Sequence, residues 1–163
     1  MFCKSLVCSF VISILFISGC ATEPDLSKKG ATIAIWDLED LSPSDFVRPD
    51  LGELLSAKVI ETFKETDLYA VIERERLHLV LEELNLGTTS LVDETTRLRI
   101  GKLVGARLMV FGGYQVIEDQ MRLDLRMVEV ETGKIRKAAQ KTVSAADLSG
   151  WLNAAKETAA QLF

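Results

Sequence analysis

RLMVFGGYQVIEDQMRLDLRMVEV, residues 107–130, holds two different kinds of strand joined by a turn. The first, Arg107–Glu118, begins apolar on both sides, as a strand covered on both faces must. A turn at Asp119-Gln120 leads to Met121, Leu123, Leu125 and Met127, which alternate with Arg122, Asp124 and Arg126. Period-two alternation marks a strand with one face in water. The apolar phase then slips by one, to Val128 and Val130, which predicts a bulge near Met127. Glu131-Thr132-Gly133-Lys134 suits a hairpin turn, and a weaker strand follows to about Val143.

Upstream, strands alternate with helices. ATIAIWDL (31–38) is a nearly continuous apolar run expected of a buried strand, and the loop EDLSPSDFVR (39–48) follows. Pro49 suits the first turn of a helix, with Asp50 and Glu53 near its positive end. Leu51, Leu55, Val59 and Phe63 line one stripe of that helix, widened by Leu54 and Ile60. LYAVIE (68–73) reads as a strand, and Leu77, Val80, Leu81 and Leu84 give the next helix its stripe. Ser90-Leu91-Val92-Asp93 resembles a capping box for a helix ending near Gly105. After the hairpins, Ser144-Ala145-Ala146-Asp147 opens a last helix lined by Leu148, Trp151, Leu152, Ala155, Ala159 and Leu162. The order β-α-β-α-α-β-β-β-α predicts an α/β (α+β) fold. It has one mixed sheet of about five strands covered by helices, its early strands parallel and its last three a meander.

The start of the chain speaks to address. Lys4 precedes the short apolar segment Leu6–Ile17, too short to span a bilayer, which needs about 20 residues. A positive start, a short apolar run and small residues after it are the pattern of a secretory signal. Ile17-Ser18-Gly19-Cys20 resembles the lipobox of bacterial lipoproteins, which implies cleavage before Cys20 and a covalent lipid on it. With Ala21 following, the resemblance implies sorting to the outer membrane, on its periplasmic face. The expected organisation is a signal peptide over 1–19, a lipidated tether over 20–30 and one domain over 31–163. Cys3 and Cys8 leave with the signal, so no disulfide is expected.

The mature chain keeps eighteen basic side chains against twenty-four acids, a net charge of −6, so no basic footprint for nucleic acid is present. His78, the single histidine, falls off its helix stripe and reads as solvated; no metal or cofactor is expected beyond the lipid. Gly112-Gly113 lies within a strand and suits close backbone packing, not a phosphate loop. Glu73-Arg74-Glu75-Arg76 at a helix start reads as structural. No catalytic set emerges, and the chain is expected not to be an enzyme.

LYAVIERERLHLVLEEL, LVGARLMVFGGYQVIED and LDLRMVEVETGKI together resemble the curli assembly/transport lipoprotein family, the CsgG type. The same core resembles the amino-terminal domain of TolB-like proteins and the periplasmic activators of penicillin-binding proteins. The curli family inserts two transmembrane hairpins into this core, each needing about 20 residues or more. Here the junctions are the turn at Glu118–Met121 and the helix cap at Ser144–Leu148, with no room for either hairpin. The resemblance therefore implies a pore-less form: a binding or scaffold component of envelope assembly, anchored through Cys20 and bound to an envelope protein. Alternatives are a ring-forming accessory of a curli-like secretion channel, with homo-oligomers, and an envelope enzyme. Ser44-Asp45-Phe46 resembles the family's pore-narrowing loop. Leu41, Asp45, Phe46 and Val47 are the candidate partner-binding residues, against the plainer reading that Phe46 folds over the core. The 85–92 loop and an uncovered strand edge are further candidates.

Overall fold

A computed structural model describes residues 30–43, 50–84, 93–144 and 147–163. Among these residues six strands and four helices follow one another: β1 (Ala31–Ile35), β2 (Glu39–Asp40), α1 (Leu51–Glu65), β3 (Tyr69–Val71), α2 (Arg74–Glu83), α3 (Glu94–Val104), β4 (Leu108–Ile117), β5 (Gln120–Glu129), β6 (Ile135–Ser144) and α4 (Leu148–Ala160). They form a single mixed sheet in the order β3-β1-β4-β5-β6. β1 runs parallel to β3 and β4, while β4, β5 and β6 form the antiparallel meander. A register shift does lie between Met127 and Val128, but its extra residue is Arg136 of β6, since Met127 pairs with Lys137 and Val128 with Ile135. β5 itself runs unbroken against β4, and its apolar phase changes because Val128 and Val130 turn to the second buried cluster.

The sheet is packed on both faces. Leu51, Leu55, Val59 and Phe63 of α1 and Trp151, Ala155 and Ala159 of α4 are buried with Leu108, Val110, Leu123 and Leu125 on one face. Leu77 and Leu81 of α2 and Ile100 and Val104 of α3 are buried with Trp36, Met109, Phe111 and Val128 on the other. β4 contributes to both clusters, which is why its first half is apolar throughout. Burying more than thirty apolar side chains is the dominant stabilising term.

Several boundaries differ from the sequence reading. β1 stops at Ile35, because Leu38–Leu41 peels away to pair with β4 as β2, the strand the sequence did not announce. Glu39 and Asp40 carry no apolar alternation, so only the neighbouring Gly113 betrays the approach. The N-cap of α3 is Asp93, whose carboxylate accepts from Thr96 N–H at 3.0 Å, three residues after the expected Ser90. That bond holds the Asp93 pKa below its ordinary value. Asp147 likewise caps α4 through Gly150 N–H, while Ser144 ends β6. Leu54, Leu84 and Leu148, expected in helix stripes, are exposed. Leu54 faces away from both sheet and α4, Leu84 lies past the end of α2, and Leu148 precedes the turn of α4 that reaches the sheet. Glu118 and Asp119 join β4 to β5 directly, so the first junction holds a tight turn. No helix among the described residues is long and apolar enough to cross a membrane.

Candidate functional site

Among the described residues, the helices leave part of one sheet face uncovered. α2 and α3 cover β1 and the first half of β4, but not the far half of the meander. There Ile117, Arg122, Ala138, Gln140 and Thr142 are exposed and Asp124 and Arg126 half-buried. A groove of roughly 670 Å³ opens on this bare face. Phe111, Gly112 and Gly113 form its floor, Leu41 and Arg97 one wall, and Ala138 and Gln140 of β6 the other.

Glycines shape the floor. A methyl group on Gly112 would stand 2.4 Å from the carbonyl oxygen of Asp124 and 3.0 Å from Leu38. Their missing side chains let the Leu38–Leu41 segment lie against β4, in the register Glu39 to Gly113 and Asp40 to Tyr114. Ser42 fixes the end of this segment, its N–H donating to Asp40 and its hydroxyl accepting from Val116 N–H, each at 2.9 Å.

Charge surrounds the groove in matched pairs. Arg97 pairs with Glu39, Arg126 with Glu94 at 2.8 Å, and Arg122 with Asp124 at 2.8 Å. The hydrogen bond to Asp124 lifts the Arg122 pKa above its ordinary value. Arg97 lies 5.6 Å above the Trp36 ring, and Arg126 5.9 Å from Phe111. The floor is one buried ring, Phe111, beside two glycines, and Arg-containing ion pairs rim it.

A second cluster sits at the carboxyl end of β1. Arg74 lies 2.9 Å from Asp37 and 2.7 Å from Glu53, and His78 Nε2 lies 3.7 Å from Asp37. Burial pulls the Arg74 pKa down, but the hydrogen bonds to Glu53 and Asp37 outweigh it and leave it raised. A permanently charged guanidinium ties the starts of α1 and α2 to the strand end and offers no proton to exchange. Glu73 pairs with Lys64 at 3.0 Å, so Glu73 and Arg74 of the dense charge run both serve structural pairs. His78 is half-exposed, as its position off the stripe implied, yet it faces Asp37, which the sequence did not show. Among the described residues, no three His, Cys, Asp or Glu side chains gather to hold a metal ion.

Of the residues singled out from sequence, Leu41 stands on the groove wall at 59% exposure. Cys20, Asp45, Phe46 and Val47, and the 85–92 loop, lie outside the described residues. Arg97, Arg122 and Arg126 were missed as site residues. The alternation in β5 marked Arg122 and Arg126 as facing water, but sequence does not show where helices stop covering a sheet.

The model of the family described as curli production assembly/transport component CsgG matches residues 20–118. No curated protein matches the chain. Among solved structures, the LpoB C-terminal domain from Salmonella enterica is similar at TM-score 0.61 and 13% identity, covering 73% of this chain and 86% of that one. Lipoprotein GNA1162 from Neisseria meningitidis is similar at TM-score 0.62 and 12% identity, covering 76% and 88%. The PelC dodecamer from Paraburkholderia phytofirmans is similar at TM-score 0.51 and 14% identity, covering 84% and 87%. At these identities the likeness is one of fold.

Proposed function

The chain belongs to the family of the curli production assembly/transport component CsgG, and from that membership we propose that it is a lipoprotein of the outer membrane's periplasmic face that binds another envelope protein. The observation that carries this reading is the bare half-face of the sheet. Its ion-paired rim and exposed Leu41 suit a partner, and the carboxylates that line it, Glu39 and Asp124, are held in pairs with Arg97 and Arg122. The lipid on Cys20 and the tether over 20–30 would present this face near the membrane surface, and two or more acyl chains hold such an anchor stably.

A photo-crosslinking side chain at Ala138, in cells, tests the reading. One discrete adduct with a different envelope protein is expected from Ala138 and none from Glu61, on the outer side of α1. No adduct from Ala138 would overturn it. Cys20→Ala is expected to release the protein from the membrane fraction.

A ring-forming accessory of a secretion channel is the second reading. It is favoured by the two free sheet edges, β3 and β6, among the described strands, and by a fold shared with a protein solved as a dodecamer. A single high-mass species of this chain alone in detergent, with self-adducts from Ala138, would select it.

A further inference from the structure

We propose that the end of the domain where β1, β3 and β4 begin lies on the lipid bilayer, with Leu68 and Leu103 entering the headgroup layer and Arg107 facing lipid phosphate. This rests on the lipid anchor of the reading above and adds the surface by which the domain meets the membrane.

The chain's own connection brings that end to the lipid. The tether joins the sheet at Gly30, whose N–H donates to Leu68 O at 3.2 Å. Thr32, two residues on, donates from its hydroxyl to Gly105 O at 2.8 Å, and its carbonyl accepts from Arg107 N–H at 3.0 Å. The starts of β1, β3 and β4 and the end of α3 are therefore laced together where the tether enters. Gly30 follows Cys20 by ten residues, so the two stand at most about 35 Å apart, and a flexible chain of that length averages roughly 20 Å. A contact reached through so short a linker is intramolecular, with an effective concentration of about millimolar, so a weakly binding surface is enough.

The side chains at this end fit a headgroup layer. Leu103 is the most exposed large apolar side chain among the described residues, at 62%, and Leu68 is exposed as well. Beside Leu103 in the chain, Lys102, Gly105 and Arg107 line a hollow of about 400 Å³ together with Glu129 and Glu131. Arg107 is exposed and forms no ion pair among the described residues. Lys102 pairs with Glu131 at 3.2 Å, but both stand in water, where such a pair opens at little cost. Glu129 is held by Arg136, and Lys134 in the same turn is already engaged. Arg107 and Lys102 thus stand against Asp67 and Glu131, and a surface so balanced does not select an anionic layer. It matches a zwitterionic phospholipid, whose phosphate can face Arg107 and whose ammonium can face Glu131. The long stem of Arg107 lets its charge stay among phosphates while the two leucines lie deeper.

This pose leaves the groove free. β4 runs from Leu108 to Ile117, about 30 Å, so the groove floor at Gly112 and Gly113 and the turn at Glu118 and Asp119 stand clear of the lipid.

The test uses the full acylated protein in vesicles of phosphatidylethanolamine and phosphatidylcholine that contain nitroxide-labelled lipid. With Cys20 lipidated and Cys3 and Cys8 removed with the signal, one introduced thiol takes a fluorophore: Leu68→Cys at the proposed contact, or Asp119→Cys at the far turn. Quenching at Leu68→Cys is expected to exceed that at Asp119→Cys by about threefold or more. Leu103→Glu with Arg107→Glu should bring it down to the Asp119→Cys level while the protein still floats with the vesicles. Both side chains are exposed, so this variant is expected to fold; Leu103→Ser alone, which should cut the quenching about twofold, carries the test if it does not. Equal quenching at the two sites, more at Asp119→Cys, or no response to either variant would overturn the proposal. Flotation without site-selective quenching removes this inference and leaves the anchor standing, whereas failure of the parent to float removes both.

Discussion

The side chain of Leu41 lies over Gly113, so closely that a methyl group there would stand 3.0 Å from Leu41 Cδ1 and 3.0 Å from the Glu39 carbonyl oxygen. The groove wall is thus seated on a missing side chain. Gly113→Ala is expected to push β2 outward, at a cost of about 1 kcal/mol, because Leu41 can swing aside. Gly112→Ala meets the Asp124 carbonyl at 2.4 Å, within the β4–β5 pair itself, and should cost about 3 kcal/mol. Urea denaturation of both variants checks the order; a Gly112→Ala protein as stable as the parent would refute this packing.

Arg97 links the groove to the core. Its guanidinium covers the buried Trp36 ring at 5.6 Å and pairs with Glu39, and its side chain is only 12% exposed. Arg97→Ala removes the cation from the ring and leaves a half-buried carboxylate without this partner. A loss of about 2 kcal/mol is expected from the two effects together. In a Trp151→Phe background, Trp36 is the sole tryptophan, and its emission should change in the same variant. Unchanged stability and emission would show that Arg97 only decorates the rim.

Tyr114 sets an alkaline limit. Burial, then hydrogen bonding to Asp40, raises its phenol pKa well above the ordinary value near 10. The unfolded chain therefore loses this proton first as pH rises. Stability from this group is complete below about pH 10 and falls above it, as the unfolded state binds fewer protons than the native one. Unfolding midpoints are expected to drop steeply above that pH in the parent and less steeply in Tyr114→Phe. With Tyr69→Phe as background, tyrosinate absorbance reports Tyr114 alone and should appear only with unfolding.

The sheet's course was legible because β4 and β5 write their environments plainly. β4 is apolar on both sides where both clusters meet it, and β5 alternates until Val128 and Val130, on its other face, meet the second cluster. Helix stripes were legible along their centre lines and not at a flank, where Leu54 lies exposed between buried Leu51 and Leu55, or at some ends, where Leu84 and Leu148 face solvent. Propensity and periodicity report a local face, whereas burial depends on how far the opposing layer extends. The same limit hid the groove. Arg122 and Arg126 announced water, but water covers every unpacked face alike, and the pairing of Arg97 with Glu39 spans 58 positions. β2 was illegible for a different reason: two charged residues form it, and Gly113 is what admits them.

Phe163 closes the α4 side of the sheet. Its ring meets Phe63 edge-on, with centroids 4.8 Å apart and planes at 86°, and Tyr69 completes the cluster at 5.5 Å from Phe63. These rings join the last turn of α1, strand β3 and the residues after α4. Phe163 is half-buried, so Phe163→Ala is expected to cost about 2 kcal/mol, below the 3–5 of a fully buried ring. Edge-to-face geometry adds about 0.5–1.5 kcal/mol of specific coupling. A double-mutant cycle with Phe63→Leu, read by thermal denaturation, should recover a coupling of that size. Strict additivity of the two changes would mean that the rings only share a hydrophobic site. Because the same residue's carbonyl accepts from Lys137, Phe163→Ala should leave β6 in place, and a loss of hydrogen-exchange protection confined to α1 and β3 would distinguish the ring's role from that of the backbone.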